Sequence, residues 1–233
     1  MSTSKNVLAR GPLLISPIGT GDAPRARAKK TSSAEKAPAK SPVDRRNPRT
    51  HLAVLAAAEA LLKETGYTSI TIDRIAERSG VAKASIYRWW PNKAAVFMEL
   101  YMTIVREALK PVDTGTLEGD LRAHARSAFQ IFRTTVAGLA LAGFVADAQS
   151  NPTTLKLLQD GVATDNRKSN MALLERARAR GELNPWVSTT MAADLMSGAL
   201  YHQLLVRRGE FTNAEADQIS DLILLGVRAR AAP

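Results

Sequence analysis

The chain has no cysteine among its 233 residues. That excludes disulfides, thiolate metal sites and a cysteine nucleophile. Its three histidines, His51, His124 and His202, are far apart in sequence, and none has zinc-motif spacing. Each is read as a surface or satisfied interior residue. Aromatics make up only 5% of the chain, so a core must be built mostly from Leu, Ala, Val and Ile. No stretch approaches the roughly 20 apolar residues that span a bilayer. The opening NVLARGPLLISPIG is mildly apolar but is broken by Arg10, Pro12 and Pro17, which makes a poor signal peptide. The expected location is the cytoplasm, with no membrane partner. There is no HExxH, P-loop or GxSxG pattern, and Gly19-Thr20-Gly21 stops short of GxGxxG. Neither catalysis nor a cofactor nor a metal is expected. Alternating strand patterns and internal repeats are also missing.

What is present is positive charge and helical period. The net charge is +10. Residues 1–47 hold ten Lys/Arg against three Asp/Glu, a net of +7. Residues 48–100 add +2 and residues 101–233 add +1. A basic segment of this kind favours polyanions. Residues 1–47 are also rich in Pro, Ala and Ser and lack an apolar period, so they read as a disordered basic leader. PRARAKK (Pro24–Lys30) has the composition to touch phosphates. With 45% apolar residues, the remainder can bury a real core.

Order is expected from Pro48, a residue suited to a first helical turn. Leu52, Leu55, Ala58 and Leu62 recur at helical spacing, and Thr65-Gly66 ends the helix. Thr71 caps a second helix in which Ile72, Ile75 and Ala76 face inward, closed by Ser79-Gly80. A short third helix runs from about Lys83 to Trp89. Pro91-Asn92 breaks the chain, Asn92 caps, and a long helix follows to about Lys110. Pro111 to Gly119 reads as a loop. Five further helical stretches follow, at about 120–135, 138–149, 152–180, 188–208 and 214–230, punctuated by Pro152, Gly181, Pro185 and Gly209.

TIDRIAERSGVAKASIYRWWPNK (Thr71–Lys93) is the most informative stretch. Ala76, Gly80 and Ile86 have the spacing of a helix, a tight left-handed turn and a second helix crossing the first, a helix-turn-helix. With Ile86 and Trp90 buried and Trp89 half-buried, residues Lys83, Ala84, Tyr87 and Arg88 face outward together, with Ser85 beside them. Arg88 can offer guanine a bidentate fork, and Ala84 can meet a thymine methyl. Ser85 suits a base or a phosphate, and Lys83 and Tyr87 suit phosphate oxygens, which set register. Thr71 and Lys93 open two flanking helices whose N-termini can clamp the DNA backbone. A merely solvated helical hairpin is the plainer alternative.

GVAKASIYRWWPNKAAVFMEL (Gly80–Leu100), with TIDRIAERS before it, resembles the DNA-binding domain of the tetracycline-repressor (TetR) family. Thr71, Ile75-Ala76, Gly80-Val81, Tyr87, Trp90 and Lys93 carry the resemblance, which covers about residues 48–100. Ala82 stands where the family often has a capping Ser, and Ala94 replaces a common Glu. The resemblance implies an all-α fold of nine to ten helices. An N-terminal three-helix helix-turn-helix domain (48–95) would precede a C-terminal helical effector-binding and dimerisation domain (96–233). It also implies a homodimeric regulator, usually a repressor, that binds double-stranded operator DNA and is released by a small molecule, with the last two long helices forming the dimer's four-helix bundle.

Two stripes fit such a pairing. Ala192, Leu195, Ala199 and Gln203 share one helix face, and Ile219, Leu222, Ile223 and Gly226 share another. Leu195, Ala199, Ile219, Leu222, Ile223 and Gly226 are the candidate interface residues, and Gly198, Ala199 and Gly226 would permit close approach. Two copies would set their reading helices about one duplex turn apart, as a palindrome requires. A small apolar or amphipathic effector would sit among Phe129, Phe132, Phe144, Met171 and Leu174, with Arg126, Arg133 and Asp147 as polar candidates; ordinary core packing explains the same apolar residues. The competing functions are a non-specific architectural DNA-binding protein and a regulator of the same type without a ligand.

Overall fold

A computed structural model describes residues 48–110 and 112–229 of the chain. The expected leader, 1–47, lies outside the described residues. Among the described residues ten α-helical segments follow one another: α1 (Pro48–Thr65), α2 (Ile72–Ser79), α3 (Lys83–Tyr87), α4 (Lys93–Ala108), α5 (Leu117–Thr134), α6 (Ala137–Ser150), α7 (Pro152–Leu158), α8 (Thr164–Ala179), α9 (Thr189–His202) and α10 (Asn213–Val227). Among the described residues there is no strand, only one isolated antiparallel bridge from Leu183 to Arg228. The fold is all-α.

The first three helices are set by local chemistry. Gly66 and Gly80 take left-handed φ values of 71° and 66°, which turn the chain sharply at little steric cost. The Thr71 hydroxyl accepts from the Arg74 N–H at 3.3 Å and starts α2. The Asn92 side chain accepts from the Ala95 N–H at 2.9 Å and starts α4. Ala82 precedes α3 without any side-chain cap. Leu52, on the expected apolar stripe of α1, is instead exposed (62%); Val54, Leu55, Ala57, Ala58, Leu61 and Leu62 form its buried face.

Three boundaries differ from the periodicity reading. The loop after Lys110 is shorter, because Thr116 accepts from the Gly119 N–H at 3.1 Å and begins α5 at Leu117. The stretch 152–180 is not one α-helix: a π-helical turn at Gln159–Ala163 joins α7 to α8. That turn sets Gly161 against Met98 of α4. The stretch 188–208 likewise ends in a π-turn, Gln203–Arg207. Neither widening has a hydrophobic-period signature, since one extra residue per turn is invisible at this resolution of pattern.

Helix α4 packs on α1 and α6, α5 on α10, and α8 on α9. One core cluster runs without a break from α1 through α4 to α6, centred on fully buried Phe97 and Phe144. A second joins Leu117, Leu121, Leu173, Leu174, Leu183 and Leu224 at the ends of α5, α8 and α10. The start of α5 is pinned by Asp120, which has no solvent exposure. It accepts from the Thr114 N–H at 2.6 Å and from Arg180 Nη2 at 3.0 Å. Burial by itself would raise this carboxyl's pKa; the Thr114 and Arg180 donors outweigh it and hold the pKa below the usual value.

Candidate nucleic-acid interface and ligand cleft

The third helix is short because its apolar residues are few. Ile86 is its buried residue, and it packs into the core shared with α2. Trp90, just beyond, is 2% exposed. Its indole N–H donates to Glu99 at 2.6 Å, and its ring stacks on His51 at 5.2 Å. Trp89 is half-buried. With those residues turned inward, Lys83, Ala84, Tyr87 and Arg88 are all exposed, and Ser85 is partly so. The sequence-predicted ridge is therefore one surface.

Its charges are not equally free. Lys83 Nζ lies 2.6 Å from Asp73 of α2, and this hydrogen bond raises the ammonium pKa. The same Nζ is 5.9 Å from the Tyr87 ring. The Arg88 guanidinium carbon sits 4.9 Å from the Trp89 ring, a cation–π arrangement that orients the fork. Two other arginines nearby are spent internally: Arg78 makes a bidentate pair with Glu64 at 2.6 and 3.0 Å, and Arg74 donates to the Ser69 carbonyl at 2.8 Å. Thr71 is exposed at the start of α2.

Lys93 is placed differently from the other predicted contacts. Its Nζ donates to the Tyr67 carbonyl at 3.2 Å and lies 4.5 Å from the Tyr67 ring. Tyr67 is itself a junction. Its hydroxyl donates to Asp147 of α6 at 2.7 Å, and its ring packs on Phe97 at 4.9 Å. The Tyr67 side chain also lies against Gly143, where a Cβ would collide with its carbons. Burial, together with the Asp147 carboxylate, pushes the Tyr67 pKa far up, so it stays a proton donor. The turn between α1 and α2 is thus bolted to α6. Sequence reading missed Tyr67 and Gly143, because a contact 80 residues apart leaves no local period.

A cleft opens among α4, α5, α8, α9 and α10 and is partly continuous with solvent. Phe129 and Phe132 line it. Phe144 and Leu174 lie instead in the two packed cores, and Met171 packs beside the second. The three polar candidates are engaged elsewhere. Arg126 pairs with Asp217 at 2.6 Å, Arg133 donates to the Phe211 carbonyl at 2.9 Å, and Asp147 holds Tyr67. Tyr101, His124, Asn166 and Tyr201 line the cleft and were not singled out. A signal for His124 existed: Leu121, His124, Ala125, Ala128, Phe129 and Phe132 repeat at one helix face. Desolvation there lowers the imidazole pKa, with a hydrogen bond to Asn170 opposing it.

The candidate interface residues divide. Ile219 and Ile223 line the cleft, and Ala192 and Gln203 are buried within the chain. Ala199 is half-buried, while Leu195 (59% exposed) and Leu222 (71%) point outward with Gly198 and Gly226. Met191 (62%) and Leu225 (83%) extend that exposed apolar face. The outward stripe on α9 is Met191, Leu195 and Gly198, shifted by one residue from the expected set at its start.

Two family models divide the chain between them. Residues 54–100 match "Bacterial regulatory proteins, tetR family", and residues 111–223 match "Tetracyclin repressor-like, C-terminal domain". Among curated relatives, the HTH-type transcriptional regulator YdeS of Bacillus subtilis is 31% identical over 78% of this chain and 92% of its own length. The HTH-type transcriptional regulator Rv1556 of Mycobacterium tuberculosis is 26% identical over 74% of this chain and 84% of its own. Among solved structures, the TetR family transcription regulator SCO0332 superposes with a TM-score of 0.65 at 28% identity, covering 79% of this chain and all of that one. GusR of Salmonella enterica, at 20% identity and a TM-score of 0.62 over 77% of this chain and 96% of its own, shares the fold. With both halves matched in order and the helix-turn-helix in place, this chain belongs to the TetR family of helix-turn-helix transcriptional regulators.

Proposed function

We propose that the protein is a homodimeric repressor that reads a palindromic operator and leaves it when a small molecule fills the cleft. The reading surface would be Lys83, Ala84, Ser85, Tyr87 and Arg88, with Thr71 at the flanking phosphates. Lys93 would act at one remove, by holding the Tyr67 turn. The observation that carries the dimer is the apolar face of α9 and α10, where Met191, Leu195, Leu222 and Leu225 are each more than half exposed. A patch of that kind on two adjacent helices is costly in water unless a partner covers it, and a second copy offers the same face across a two-fold axis. The protein acts here by binding, without catalysis, and works in the cytoplasm, where its DNA is.

Release would follow from differential affinity: a ligand that prefers one spacing of the two heads shifts the population toward it. The path from cleft to head is short. Tyr101 lies in the cleft on α4, whose first residue, Lys93, grips Tyr67. The test is sedimentation of the full chain with genomic binding-site mapping. A two-copy mass and a palindromic site are expected. Replacing Leu222 and Leu225 by Glu should give a folded monomer that no longer binds the palindrome; an unchanged dimer would refute the assigned face.

A further inference from the structure

Among the described residues, the cleft lining holds no Lys, Arg, Asp or Glu. The arginines on α5 that come nearest are paired outside it: Arg122 with Asp221, and Arg126 with Asp217, both on α10. The imidazole of His124 is held neutral by burial, and its hydrogen bond goes to Asn170. A charged ligand would therefore lose its hydration without gaining a counter-charge.

The polar atoms that remain have a direction. Ser197 and Ser220 spend their hydroxyl protons on the carbonyls of Ala193 and Ala216, at 3.2 and 2.8 Å. Asn170 donates to the Ala193 carbonyl at 3.3 Å and to Ser197 at 3.1 Å. The two tyrosines differ. Asn166 donates to the Tyr101 oxygen at 3.5 Å and also engages Tyr201. Neither tyrosine O–H donates to another described residue. Both stay protonated, since burial pushes Tyr101 up to about 12 and raises Tyr201 as well. Besides the Ser169 hydroxyl on the exposed side of α8, two donors without acceptors thus face a largely apolar space walled by Phe129 and Phe132.

We infer that the cleft takes an uncharged, largely apolar, planar molecule carrying a hydrogen-bond-accepting oxygen such as a ketone carbonyl, with the hydroxyls of Tyr101 and Tyr201 as its donors. This inference rests on the reading of the cleft as the effector site and specifies its ligand. A buried donor left unpaired is costly, so an acceptor gains from meeting both. A carboxylate of the same shape can also accept, but it brings a net charge that nothing in the lining offsets.

Three probes of one shape test it by calorimetry on the full chain: 2-acetylnaphthalene, 2-ethylnaphthalene and 2-naphthoate. The ketone should bind at least tenfold tighter than either of the others. Tyr201→Phe and Tyr101→Phe should each reduce its advantage over 2-ethylnaphthalene severalfold without weakening the binding of 2-ethylnaphthalene, which also shows that the cleft remains folded. Equal or tighter binding of 2-naphthoate, a ketone no better than the hydrocarbon, or no binding of any probe overturns the inference. Occupancy of the mapped operator is read in parallel. A ketone that binds as expected yet leaves DNA occupancy unchanged upholds the ligand class and removes the release reading. A carboxylate that binds and releases DNA upholds release and overturns the ligand class.

Discussion

The reading head and the cleft are built in opposite ways. In the head, caps, turns and the outward ridge lie within 23 consecutive residues, and most contacts that shape it are local: Thr71 to Arg74, Asn92 to Ala95, Lys83 to Asp73. The cleft draws its walls from five helices spread over more than 120 residues. Its charges are excluded by pairing that only the packed helices create, as between Arg126 and Asp217. The lesson is about robustness. A head made of short-range contacts tolerates drift elsewhere in the chain, whereas a cleft made of long-range contacts can be re-specified by substitutions on any of its walls.

The largest expected effect attacks the long-range half. Asp120→Ala leaves Arg180 without its buried partner and frees the start of α5, and should cost about 3 kcal/mol in urea denaturation. A loss below about 1 kcal/mol would mean that α5 is not held there. Next comes the seam between the halves. Gly143→Val drives a side chain into the Tyr67 ring and should cost about 1–3 kcal/mol of thermal stability by overpacking. It should also weaken DNA binding without any change to the reading ridge; normal operator affinity would show the seam to be inert.

Within the head, Arg88→Ala should lose about 1–3 kcal/mol of operator binding and relax base preference, by fluorescence anisotropy, while the melting temperature stays put. Equal losses on all DNA sequences would reassign Arg88 to phosphate. The smallest effect is a pH dependence confined to the cleft. The pKa of His124 is lowered in the folded chain, so the unfolded chain binds its proton first as pH falls. Stability from this group is fully present above the ordinary histidine value of about 6.5 and declines below it. His124→Phe should flatten the loss of stability between pH 7 and pH 5, read by urea denaturation at each pH; an unchanged slope would show that the imidazole is not desolvated.

Local pattern revealed the head because a helix N-cap, a left-handed glycine and an i, i+4 ridge are all defined within one or two turns. Lys93 marks where that stops. Its place at the opening of α4 was readable, but its grip on the Tyr67 carbonyl depends on a turn 26 residues earlier. Phe144 and Leu174 failed to separate from Phe129 and Phe132 for a related reason. Apolar composition says that a residue is buried, not which wall it faces. The stripes on α9 and α10 show the same limit: both are apolar on two sides, and packing sends Ile219 and Ile223 inward while leaving Leu222 and Leu225 outside.

By itself the sequence determined the helix-turn-helix and the residues on its ridge, since backbone sterics and capping act over a few residues. Tertiary structure alone decided that Tyr67 bolts this head to α6, that the cleft is uncharged and which apolar face stays exposed. Those outcomes rest on contacts between residues far apart in the chain, whose energies exist only once the helices have packed.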